Sequence, residues 1–136
     1  MRFIALLGLA LLLPCPALGA DDDIFINRPA FSRGDLPARS SARCEDIRRM
    51  SAGLPQVEFR IDLSVTGELT LVKTDGALWY LGMCADVKIL CVTYQSNEMK
   101  PGDLVRMKGG YSRPGTDHIL LDPCLASRPE ADSDAQ

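Results

Sequence analysis

Residues 57 to 72 read VEFRIDLSVTGELTLV, and the fold turns on how that run is parsed. Val57, Phe59, Ile61, Leu63 and Val65 alternate with Glu58, Arg60, Asp62, Ser64 and Thr66, the period of two that half-buries a β-strand. Beyond Gly67 the same parity continues through Leu69 and Leu71. A straight strand over this run would reach about 50 Å at about 3.3 Å per residue, longer than a domain of this size is wide. The chain must therefore turn or coil at Gly67. Thr66-Gly67-Glu68 suits a three-residue hairpin loop. A glycine kink in one coiled strand shared by two halves of a small barrel fits as well, and is the favoured reading.

Downstream, Thr74-Asp75-Gly76 marks a turn before ALWYLGMC, and VKILCVTY follows. A loop with Pro101-Gly102-Asp103 leads to LVRMKGGY, Arg113-Pro114-Gly115 turns the chain, and HILLDPC closes the series. Five strands punctuated by turns, with little helix, describe a sandwich or barrel, and closure would remove exposed edges. Upstream, residues 40–51 start at a serine, carry acids early and arginines late, and end before Gly53 and Pro55, which predicts one short helix. Residues 21–39, with Asp21-Asp22-Asp23, Pro29, Gly34 and Pro37, read as a flexible lead-in. The polar stretch 126–136 reads as a disordered tail, leaving one domain over 40–125.

The long first strand broken by glycine, the two hairpin-linked strands and the run KPGDLVRMKGGY before a short last strand resemble an oligonucleotide/oligosaccharide-binding fold, the OB-fold. Gly102 and Asp103 stand where a Gly-Asp pair opens the fourth strand in many such domains, and Gly109-Gly110 near its end reads as a bulge. The expected fold is therefore all-β: a small five-stranded OB-like barrel with one short amino-terminal helix, which together with disulfides would stand in for the usual barrel plug. The resemblance implies ligand binding on strands two and three, drawing on Tyr80, Lys88 and Tyr94, and on Arg106, Lys108 and Tyr111 beside them. Trp79 shares the parity of Leu81 and Met83 and is expected in the core. Asp103, Asp117 and Asp122 lie close in sequence to Arg106, Lys108 and Arg113, so a solvated mixed-charge surface is the simpler reading of those cations.

The chain opens with Arg2, an apolar run from Phe3 to Leu13, Pro14, Pro16 and the small residues Ala17, Gly19 and Ala20, the pattern of a secretory signal peptide over 1–20. The apolar run falls short of the roughly 20 residues a spanning helix needs. Pro14 argues against a lipoprotein reading of Cys15. The mature protein is expected to be secreted, periplasmic in a bacterial host, and monomeric. Losing Arg2 takes the formal charge from −3 to about −4, which disfavours a nucleic-acid backbone as partner.

Four cysteines remain, Cys44, Cys84, Cys91 and Cys124, an even number for an oxidising compartment. One histidine, His118, and the six residues between Cys84 and Cys91 fit neither a zinc site nor a C-x-x-C redox pair. Two disulfides are expected, and no metal or cofactor. Three connectivities exist. A hairpin turning at Asp86 to Lys88 would set Cys84 opposite Cys91 and leave Cys44 to join Cys124. No nucleophile or metal motif marks an enzyme. The function expected is a disulfide-stapled module that binds a protein, peptide or glycan. The alternatives are an inhibitor or immunity-type protein acting through loops 95–102 and 112–117, or a single-stranded nucleic-acid binder.

Overall fold

The computed structural model describes residues 23–34 and 36–129. Strand β1 (Phe31–Arg33) is followed by β2 (Ala42–Arg43) and by helix α1 (Ile47–Ser51), which is entered through a 3-10 turn at Cys44–Asp46. The remaining strands are β3 (Ile61–Thr74), β4 (Trp79–Met83), β5 (Lys88–Thr93), β6 (Leu104–Gly115) and β7 (His118–Ser127). They run β3–β4–β5–β7–β6 and close through a β3–β6 ladder into a five-stranded barrel. Strands β5 and β7 are parallel; the other barrel neighbours are antiparallel.

The kink at Gly67 is what the structure contains. Strand β3 runs unbroken through it for 14 residues. Its first half, Asp62 to Glu68, pairs with β6, and its second half, from Leu69, pairs with β4, with a register shift between Leu69 and Leu71. Only glycine fits there, because a Cβ on Gly67 would stand 2.8 Å from Cys44 Sγ and 3.2 Å from Met83 Sδ. The coil thus lets one strand serve both halves of the barrel. Inside, Leu63, Val65, Leu69, Leu81, Met83, Val87, Ile89, Val105, Met107, Ile119 and Leu121 are fully buried. Burial on this scale, about 25 cal/mol for each Å² of apolar surface, is the main stabilising term.

The glycine pair in β6 marks the expected irregularity: the β6–β7 register shifts between Gly109 and Tyr111. A Cβ on Gly109 would lie 2.3 Å from the Pro123 carbonyl oxygen, so β7 crosses β6 at bare backbone. The Asp122–Pro123 peptide bond at that crossing is cis. Asp103 precedes β6, its Oδ2 accepting the Lys100 amide at 3.0 Å.

Several expectations need correction. The lead-in is not free chain: Phe25, Ala30 and Phe31 are buried, and β1 pairs with β3 at Ile61 to Leu63. The aspartates and prolines hid these three apolar anchors. The helix is shorter than residues 40–51, since Ala42 and Arg43 form β2 beside Val65 and Thr66 instead of a first turn. The domain passes residue 125, with Ala126 buried and Ser127 paired to Arg106. Pro114 and Gly115 belong to β6, and the turn falls at Thr116 and Asp117. Residues 1–20 and 130–136 lie outside the described residues.

The disulfides exist but are paired otherwise than expected: Cys44–Cys84 and Cys91–Cys124, not Cys84–Cys91 and Cys44–Cys124. Register decides this. Strand β4 pairs with β5 through Met83↔Ile89 and Leu81↔Cys91, so Cys91 faces Leu81 across the hairpin and points inward. Cys84 lies past the end of β4 with φ at 70°, turned toward the helix entry, where Cys44 waits. Cys91 reaches instead to Cys124 on β7.

Helix α1 rests against the barrel end where the β4–β5 and β6–β7 turns lie. Ile47 and Met50 enter the core. The Arg48 guanidinium holds both turns, donating to the two Asp86 oxygens at 2.9 Å and to Asp117 Oδ1 at 3.0 Å. Those bonds raise the Arg48 pKa above its already high value and lower that of Asp86.

Candidate functional site

Outward-facing positions of the barrel form transverse rows fixed by register. The central row reads Leu71 on β3, Gly82 on β4, Leu90 on β5, Leu120 on β7 and Ser112 on β6. The three leucines are half-buried although their strand neighbours Ile89, Cys91, Ile119 and Leu121 already fill the inside. Leu90 and Leu120 thus put apolar side chains on the outer face of β5 and β7, where a strand that meets water ordinarily carries polar ones. Gly82 keeps the floor open: a Cβ there would lie 3.0 Å from Leu71 Cβ. The result is a groove of about 630 Å³ floored by Leu71, Gly82, Leu90 and Leu120.

One long side of the groove carries two basic residues. Lys88 and His118 are register partners across the parallel β5–β7 pair, both exposed, with Gly115 opposite His118. No carboxylate is among the described residues lining it. On the other side lies the row Lys73–Tyr80–Val92. The Tyr80 hydroxyl donates to Asp75 Oδ2 at 2.7 Å, which raises the phenol's pKa. Asp75 also accepts the Ala77 and Leu78 amides, at 2.9 and 2.7 Å, and these bonds hold its carboxyl down at about 2. Tyr80 is therefore anchored to its own hairpin turn.

The six residues expected to bind ligand fall in three places. Lys88 lines the groove, and Tyr80 flanks it in the adjacent row; Tyr94 is 80% exposed and borders a second, more polar depression with Leu78, Val92 and Asp122. Arg106 and Lys108 project from β6 into a separate pocket beneath residues 37–41. Tyr111 stacks edge-on against Phe31, ring centroids 5.3 Å apart, as part of the packing. Trp79 shares the inward parity but is only half-buried, and stands outside the buried core. Leu71, Gly82, Leu90 and Leu120 were not anticipated, yet the runs KILCV and HILLD carry the signal, because leucine fills the positions where alternation calls for polar residues.

No helix among the described residues is long and apolar enough to cross a membrane. No family model matches the chain, and no curated protein does. Among solved structures it is similar to a chain of the crystallised S. pombe Stn1-ten1 complex, at 14% identity and a TM-score of 0.37. That alignment covers 56% of this chain and 64% of the other, less than two thirds of its length. The closed five-stranded barrel is OB-like.

Proposed function

We propose that this chain is an exported, disulfide-stapled binding module whose leucine groove docks an extended polypeptide segment without transforming it. The observation that carries the reading is the row Leu71–Gly82–Leu90–Leu120, three leucines and a bare glycine laid across four strands on a face that alternation would make polar. An occupant with apolar side chains at alternate positions matches such a floor, and an acidic group beside them complements Lys88 and His118. The two disulfides support export, since such bonds persist in oxidising compartments.

Sugars and unstacked bases draw less support, for they favour aromatic platforms, whereas this floor is aliphatic and Tyr80 is held by Asp75. The inhibitor reading also draws less. Loop 95–102 is fastened down, Asn97 donating to the Ala126 carbonyl at 3.1 Å and the Gly102 amide to Leu69 at 2.8 Å. Residues 112–115 lie within β6.

The test is selection of linear peptides from a displayed random library against the mature protein, followed by titration of the winners. Leu90→Lys and Leu120→Lys should each weaken binding about tenfold or more, while Tyr94→Ala should leave it unchanged. Peptides that bind the lysine variants as tightly as the parent would overturn the reading.

A further inference from the structure

Leu90 and Leu120 are register partners across the parallel β5–β7 pair, and two residues back along each strand Lys88 partners His118. Two residues of strand advance about 6.6 Å, and neighbouring strands stand about 4.8 Å apart. A segment lying extended along this seam advances by the same step. An apolar side chain seated on Leu90 and Leu120 therefore brings the side chain two positions away over Lys88 and His118, while those one and three positions away point off the surface. The Lys88 ammonium donates to a carboxylate there, and the His118 imidazole donates an N–H in either protonation state. Both residues are exposed, so an acid gains little from them unless nearby carboxylates are kept from competing.

Two such carboxylates adjoin the row. Asp86 lies two residues before Lys88 in the β4–β5 turn, and Asp117 directly precedes His118, its carbonyl accepting the Lys88 amide at 2.8 Å. Arg48 engages both. Its Nε and Nη2 donate to the two Asp86 oxygens at 2.9 Å, and Nη2 donates also to Asp117 Oδ1 at 3.0 Å. Among the described residues neither carboxylate forms an ion pair with Lys88 or His118. A bidentate fork within a network is the arrangement in which an exposed ion pair keeps its strength. Arg48 lowers the pKa of Asp86 accordingly.

The fold aims this fork. Ile47, the neighbour of Arg48, is fully buried, and the Cys44–Cys84 bridge ties the helix entry to the residue two before Asp86. Arg113 braces the second turn, donating to the Thr116 carbonyl at 2.6 Å. The guanidinium thus meets both aspartates at the end of the seam where Lys88 and His118 stand.

We propose that the groove selects an extended segment with an acidic side chain two positions from the apolar one seated on Leu90 and Leu120, and that Arg48 sets this preference by occupying Asp86 and Asp117. Arg48 is a positioning residue, acting through the two aspartates and not on the segment itself. The inference rests on the peptide-docking reading and deepens it, adding the charge, its spacing and the residue that enforces it.

The experiment sorts a displayed random-peptide library against the oxidised mature protein, then titrates the tightest winner and its analogue with the acid changed to the amide, at neutral pH. Winners should carry Asp or Glu two positions from the apolar anchor, and the amide analogue should bind the parent about fivefold more weakly. On Arg48→Ala the two peptides should bind alike, because the freed aspartates cancel the basic pair. Neutralising them as well, in Arg48→Ala combined with Asp86→Asn and Asp117→Asn, should restore the preference, which a merely structural role for Arg48 would not. Each variant is read as the ratio of two peptides, so partial loss of folded protein leaves the result legible, and Lys88→Gln should lower the same ratio. Acids found equally three positions from the anchor, a ratio that survives Arg48→Ala, or one that the triple variant fails to restore would overturn the inference and leave the docking reading standing. A library without winners, or winners indifferent to Leu90→Lys, would overturn both.

Discussion

Replacing Cys84 and Cys91 together with alanine separates the observed connectivity from the hairpin staple that spacing suggests. In the structure those two cysteines belong to different bridges, with sequence separations of 40 and 33 residues. In the loop-closure model the bridges constrain the unfolded chain by about 3.9 and about 3.7 kcal/mol, so the double variant loses about 7.6 kcal/mol. That is comparable to the whole stability of a small domain, about 5 to 15 kcal/mol. Were Cys84 joined to Cys91, the same substitution would open one short loop and cost about 2.4 kcal/mol. Urea unfolding distinguishes them: with m near 1.5 kcal/mol/M, the midpoint falls by about 5 M or folding is lost, against a fall of about 1.6 M. Tryptic mapping without reductant supplies a second readout, because Lys88 lies between the two cysteines. Peptide 44–48 should travel with 74–88, and 89–106 with the peptide that begins at Gly109. A modest loss of stability, or a bridge from 74–88 to 89–106, refutes the register argument.

Gly109→Ala should destabilise by about 3 kcal/mol in the same assay, since its Cβ would stand 2.3 Å from the Pro123 oxygen and 2.9 Å from Cys124 Cα, backbone that cannot step aside. Gly76→Ala meets no neighbour, and its smaller cost should come from φ at +95° alone. Asp75 has its carboxyl lowered from 3.8 to about 2, so its contribution is complete above about pH 4 and disappears as pH falls through 2. Asp75→Ala should therefore flatten that part of an acid-unfolding curve, as followed by Trp79 fluorescence; an unchanged slope between pH 4 and 2 would contradict the turn geometry.

Much of the barrel was legible because its strands obey local rules. Alternation from Val57 onward, the glycine at 67 and the Gly102-Asp103 opening of β6 each express a backbone requirement within a few residues. What local pattern could not supply was pairing at a distance. The bridges depend on where the β4–β5 turn closes, and a turn centred one or two residues earlier moves Cys91 from Cys84 to Leu81. Strand β1, three residues long, exists only because Ile61 to Leu63 offers it an edge. The groove was hidden for another reason. Leu90 and Leu120 look like core in the sequence, and only the burial of Ile89, Cys91, Ile119 and Leu121 shows that the inside is already full.

The two bridges join the four cysteines of the described residues in the order in which they occur, first to second and third to fourth, neither spanning the other. A chain that emerges amino end first exposes Cys44 and Cys84 before Cys124 has appeared. Oxidising each newly arrived thiol with the free one before it reproduces the native pairs, with no shuffling by an isomerase. Vectorial synthesis would itself write the correct connectivity, and the folded barrel would inherit it.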